Sequence, residues 1–121
     1  EVWILIFSGG PSPHCQLFFQ KHNLTALLPS LNRILLMIRK NSLRGKKEGP
    51  EARLCYEKQC IIFDATSHTD PKGNYQVFCE FRTYSERPIT FSGEPEQLLC
   101  FLNRDGLSKL IANIESLTNA K

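Results

Sequence analysis

Arg39, Lys40, Arg44, Lys46 and Lys47 form the densest group of chemistry-bearing residues in the chain. Cations at this spacing can hold the phosphate backbone of RNA or DNA without reading its sequence. No aromatic is interleaved among them, so the stretch lacks a stacking platform. A solvated loop explains the cluster with fewer demands. His14, Cys15 and His22 have metal-ligand chemistry, and Cys15 and His22 would share a face of a helix. A structural zinc site needs four converging ligands, and no second pair accompanies these, so no metal and no cofactor are expected. Cys55 and Cys60, placed on one strand at an odd separation, would point to opposite faces. Ser67, His68 and Asp70 carry the letters of a hydrolase triad. Triad members come from separate elements and meet in space, so three in one turn read as turn capping. Asp64 is a lone acid at a strand end.

The apolar run Val2-Trp3-Ile4-Leu5-Ile6-Phe7 reads as a buried strand and stops at Ser8-Gly9-Gly10-Pro11. A strand followed by Ser-Gly-Gly resembles the pyrophosphate loop of ATP-dependent ligases and sulfurtransferases, Ser-Gly-Gly-x-Asp-Ser. That resemblance implies backbone amides gripping a nucleotide at a helix N-terminus. Here Ser12 and Pro13 stand in the last two positions, so the acid and the final hydroxyl are missing. The same residues resemble the Ser-Gly-Gly-Pro turn of class I glutamine amidotransferases. That family also needs a nucleophilic Cys flanked by Gly on a tight turn, a setting none of the cysteines has. The likeness covers about six residues and leaves a degenerate nucleotide-binding or transferase fold as the weakest of three functions. Otherwise the glycines shape a tight strand-to-helix connection.

These groups must be carried by a small set of elements. Helices are expected near 13–21, 24–42 and 95–118. The first follows from Ser12 as cap, Pro13 at the first position and Cys15, Phe18, Phe19 and His22 at helical spacing. The second carries the stripe Leu31, Ile34, Leu35, Ile38, with a break or restart at Pro29 and Arg33, Arg39 and Lys40 facing solvent. The third starts at Ser92-Gly93-Glu94-Pro95-Glu96 and ends on Leu107, Leu110, Ile111, Ile114 and Leu117. Strands are expected near 2–8, 53–64 and 74–84, with a short further one near 88–91. The 53–64 segment reads as one strand or as a hairpin bent near Lys58-Gln59. Between 67 and 74, Asp70-Pro71-Lys72-Gly73 is a turn. In the next strand Tyr75, Val77, Cys79 and Phe81 alternate with Gln76, Phe78, Glu80 and Arg82. Phe78 and Tyr84 share a parity with Arg82, and aromatics on a polar face are commonly partner contacts. The order predicts an α+β fold, one mixed and mainly antiparallel sheet with helices packed on it.

The chain has 121 residues, a formal net charge of +3 and five cysteines. The length suits a single domain over 1–121, and the start at Glu1 reads as an excised fragment of a longer protein. An odd cysteine count without paired spacing predicts five reduced thiols, and hence a cytoplasmic or nuclear protein. Asn23-Leu24-Thr25 fits a glycosylation acceptor, which that compartment would leave unused. No apolar segment is long enough to span a membrane. There is no activated nucleophile, no paired carboxylate set and no complete phosphate loop. The expected function is therefore a non-catalytic protein-interaction module in a larger assembly, with Phe78, Tyr84 and Arg82 as contacts. Its partner would be another protein or another part of its own longer chain, not a membrane. The alternative is a nucleic-acid-binding module using Arg39, Lys40, Arg44, Lys46 and Lys47, with weak affinity.

Overall fold

The computed structural model describes residues 2–7, 15–56, 59–85 and 97–119, with side chains for 20, 22–55, 60–84 and 101–116. The centre of the fold is a long antiparallel hairpin, β4 (Gln59–Thr69) and β5 (Tyr75–Ser85). It is paired from Gln59↔Ser85 to Thr69↔Tyr75. Its turn is built by Asp70. One carboxylate oxygen accepts the backbone N–H groups of Lys72 and Asn74, each at 2.9 Å, and the other accepts the Asn74 amide at 3.0 Å. Pro71 has its fixed φ early in the turn, and Gly73 takes the φ of +85° that closes it. Both flanks are filled by short strands, β3 (Ala52–Tyr56) against β4 and β6 (Gln97–Leu102) against β5. The result is one four-stranded sheet in the order β3-β4-β5-β6.

Alternation gives this sheet two unlike faces. Ala52, Leu54, Ile61, Phe63, Ala65, Val77, Cys79, Phe81 and Thr83 point to the buried face. Phe63 and Phe81 stand directly opposite each other with ring centroids 5.8 Å apart. The helices α2 (Leu28–Lys40) and α3 (Arg104–Asn119) pack on this face, and α1 (Lys21–Ala26) packs against both of them. They contribute Leu24 and Leu27, then Leu31, Ile34, Leu35 and Met37, then Leu107, Ile111 and Ile114. Leu110 is partly buried beside them. This is the expected α+β fold.

Several boundaries differ from expectation. Cys15–Gln20 is a strand, β2, rather than a helix over 13–21. It pairs antiparallel with β1 (Val2–Phe7) from Val2↔Gln20 to Phe7↔Cys15, as a separate two-stranded sheet. The sheets are thus antiparallel throughout their described parts, not mixed. An apolar extended run needs a ladder partner for its N–H and C=O groups, and the segment Cys15–Gln20 supplies it. The expected helix 24–42 is divided at Leu27, with Pro29 in the first turn of α2, where its missing N–H costs nothing. The 53–64 segment is the hairpin β3–β4, and β4 runs on to Thr69. The helix expected over 95–118 is split: Gln97–Leu102 is β6, filling the open edge of β5, and α3 starts only after Asn103. The Asn103 carboxamide caps α3, accepting the Gly106 N–H at 2.8 Å. A strand near 88–91 lies outside the described residues.

Asn41 joins helix to sheet. It ends α2 in the left-handed region, φ 50° and ψ 44°. From there its carboxamide donates to the Tyr75 carbonyl at 3.0 Å and accepts the Val77 N–H at 2.9 Å. The pairing with β6 begins only at Cys79, so Asn41 supplies a strand-like partner where β6 does not reach. Asn41→Gly keeps the backbone geometry and removes both bonds. It should cost about 1–3 kcal/mol in urea unfolding, and a variant as stable as the parent would show that water replaces the carboxamide. Ile114→Ala, in the core, should cost about 2–5 kcal/mol in the same measurement.

Candidate functional site

The second face of the sheet is not covered by the helices. The residues that share it are Arg53 and Cys55 on β3, Cys60, Ile62, Asp64, Thr66 and His68 on β4, Gln76, Phe78, Glu80, Arg82 and Tyr84 on β5, and Phe101 on β6. Phe101 is 57 % exposed and Tyr84 48 %. Phe78 meets Phe101 edge-on, centroids 5.1 Å apart and planes at 86°. This diagonal contact across neighbouring strands is one that the quadrupoles of two rings favour. Arg82 donates from Nε to Glu80 Oε1 at 2.7 Å, with its side chain 67 % exposed. The face thus brings together Phe78, Tyr84 and Arg82, all three expected contacts. Phe101 was missed because its segment read as helix. The signal was present in the apolar run Leu98-Leu99-Cys100-Phe101-Leu102, which suits a short buried strand as well as a helix.

One side of this face is closed by the loop between α2 and β3. Gly49 and Pro50 form a shallow cleft of about 240 Å³ with Ile62, Asp64, Glu80 and Arg82. Lys46 pins the loop there. Its ammonium lies 3.1 Å from Asp64 Oδ1 and donates to the carbonyls of Lys47 and Gly49. Asp64 therefore has a cationic partner, and Lys46 is not free for phosphate. The remaining cations of the expected nucleic-acid cluster separate. Arg39 and Lys40 sit exposed in the last turn of α2, Arg44 and Lys47 in the loop.

The other chemistry-bearing residues resolve differently. Ser67 and His68 fall at the end of β4 and Asp70 in the turn. The turn N–H of Asn74, then its amide and the Lys72 N–H, hold the Asp70 carboxyl below its ordinary value. Cys15 is on β2 and His22 in α1, so the shared helix face assumed for them does not exist. His14 and the Ser8-Gly9-Gly10-Pro11 segment lie outside the described residues. The elements flanking that segment are paired strands, so the described element after it is not the helix that a strand-to-helix connection or a phosphate loop requires. Among the described residues no three His, Cys, Asp or Glu side chains converge, and no helix is long and apolar enough to cross a membrane. Cys79 is buried and free, and burial, then Asp64 and Glu80, push its thiol up to about 12. So little thiolate at neutral pH makes it a poor nucleophile.

Cys55 and Cys60 correct the expectation of five reduced thiols. They occupy opposed positions of the β3–β4 hairpin, with Cα atoms 4.1 Å apart, and are joined as a disulfide on the open face. The odd separation sends side chains apart on one strand, but across a tight hairpin it sets them on the same side. Trypsin cuts after Arg53 and Lys58, so it should release peptides carrying Cys55 and Cys60 that stay linked until reduced. Free alkylation of both in the unreduced protein would overturn the pairing.

The chain matches no protein-family model, and no curated protein matches it.

Proposed function

We propose that the domain is a non-catalytic protein-interaction module and that the open sheet face is its contact surface. The observation that carries this reading is the exposed pair Phe101 and Tyr84, with Arg82 between them and Phe78 packed against the far side of Phe101, on the face the helices leave bare. Aromatic and Arg side chains dominate the binding energy of protein interfaces, where their apolar area can be buried at a modest entropic cost. Single strands of RNA also stack on sheet aromatics. Two features favour protein. The Phe78 and Phe101 rings pack against each other rather than standing apart, and Asp64 and Glu80 lie on the same face, so phosphate meets carboxylates there. The disulfide fits an oxidising compartment better than the cytoplasm or nucleus expected from composition.

A photocrosslinking phenylalanine analogue at Tyr84 or at Phe101, in the full-length protein expressed in its own cells, should yield one discrete protein adduct. The rest of its own chain counts as such a partner. The same analogue at Lys109, exposed on α3, should yield none. Adducts to RNA, or none at the two sheet positions, would overturn the reading.

A further inference from the structure

On the far side of α2 from the sheet lies a second, unrelated feature. Arg33, Leu36 and Lys40 succeed each other at helical spacing along one stripe of α2, with Met37, 8 % exposed, buried at its edge. The turn after the helix folds back over this stripe. Arg44 donates its N–H to Ser42 Oγ at 3.1 Å, Lys46 donates to the Leu43 carbonyl at 3.0 Å, and Gly45 takes a φ of +84°. Stripe and turn enclose a cleft of about 380 Å³ with Arg33, Lys40 and Arg44 around Leu36 and Met37. Leu36 is 50 % exposed. Arg33 reaches the buried Glu51 carboxylate at 3.6 Å. Lys40 and Arg44 have no ion pair among the described residues.

We propose that this cleft binds an acidic segment of a partner protein, an apolar side chain seated on Leu36 and flanking carboxylates on Lys40 and Arg44. Charge complementarity selects the acid, and the apolar floor selects a side chain over a bare anion. A nucleic acid fits less well: the cleft has no aromatic on which a base could stack, and its two free cations would neutralise few phosphates. The site does not depend on the open sheet face, which is formed by other residues, so either reading can fail alone.

The test uses the isotope-labelled 121-residue chain and a synthetic peptide of alternating glutamate and leucine. Titration should shift the backbone amide signals of Leu36, Lys40, Ser42, Arg44 and Gly45 saturably, and weaken as salt rises. Lys40→Glu with Arg44→Glu should reduce affinity about tenfold or more while the melting temperature holds, because both side chains are exposed. Arg33 is left in place, since its loss would strand the buried Glu51. A peptide with glutamine for glutamate should not bind. No saturable shift, shifts confined to Phe78 and Phe101, equal binding by the charge-reversed variant, or tighter binding of an oligothymidylate at the same amides would each overturn the proposal.

Discussion

The register of β4 against β5 decides which residues are core and which are surface everywhere else in the sheet. Side chains alternate along a strand, so a slip of β4 by one residue against β5 would carry Ile61 and Phe63 to the open face and bring Ile62 and Asp64 under the helices. Two constraints hold the register. The Asp70 carboxylate fixes the turn through three hydrogen bonds. Asn41 fixes the start of β5 from the helical layer, bonding to backbone groups of Tyr75 and Val77 only. Because Asn41 ends α2, the same contact sets where α2 crosses the sheet. The alignment of Leu31, Ile34 and Leu35 with Phe63 and Phe81 follows from it.

With helices on one face, the second face keeps whatever the even positions of β5 and their partners supply. That face carries the aromatic pair Phe78 and Phe101 across β5 and β6, beside the charged residues Glu80 and Arg82 on β5, Asp64 on β4 and Arg53 on β3. The charges are largely paired, Lys46 with Asp64 and Arg82 with Glu80. Lys46 and Asp64 are both half-buried, and Arg82 is exposed while Glu80 is mostly covered. The effect of these pairs is positional: the Lys46 contact holds the loop against the sheet edge, and the Glu80 contact holds the Arg82 guanidinium over it.

The period-two pattern of Tyr75 to Tyr84 was legible because both faces of β5 are unlike, one core and one solvent, and alternation is what such a strand must show. The stripe Leu31, Ile34, Leu35 was legible for the corresponding helical reason. β2 and β6 were not. Both are six residues long and nearly apolar on consecutive positions, so they carry no period, and their neighbours pointed the wrong way: Pro13 and Pro95 sit where helices commonly start. What made them strands is non-local. β1 needed a pairing partner, and the edge of β5 from Cys79 to Tyr84 needed another. The Cys55–Cys60 bond was hidden for a related reason, since its sign in the sequence reverses once β3 pairs antiparallel with β4. Of the candidate contacts, Phe78, Tyr84 and Arg82 could be found from parity alone, whereas Phe101 could be found only by assigning β6.

The basic stretch shows how one loop can divide a charge cluster that looks uniform in sequence. Lys46 turns toward Asp64 because β3 begins at Ala52, opposite Phe63, leaving Asp64 beyond the end of its neighbour and open to the loop. Gly45 and Gly49, at φ of +84° and +82°, give the backbone the reversals on either side of that contact. Arg44, one residue before the first reversal, is thereby left on the α2 side with Lys40, and Lys47 is left in solvent. Five cations close in sequence become one structural pin, two cations beside an apolar floor, and two exposed charges. A phosphate backbone needs several cations along one track, and among the described residues these five do not form one. A short acidic segment needs only the two that share the cleft with Leu36.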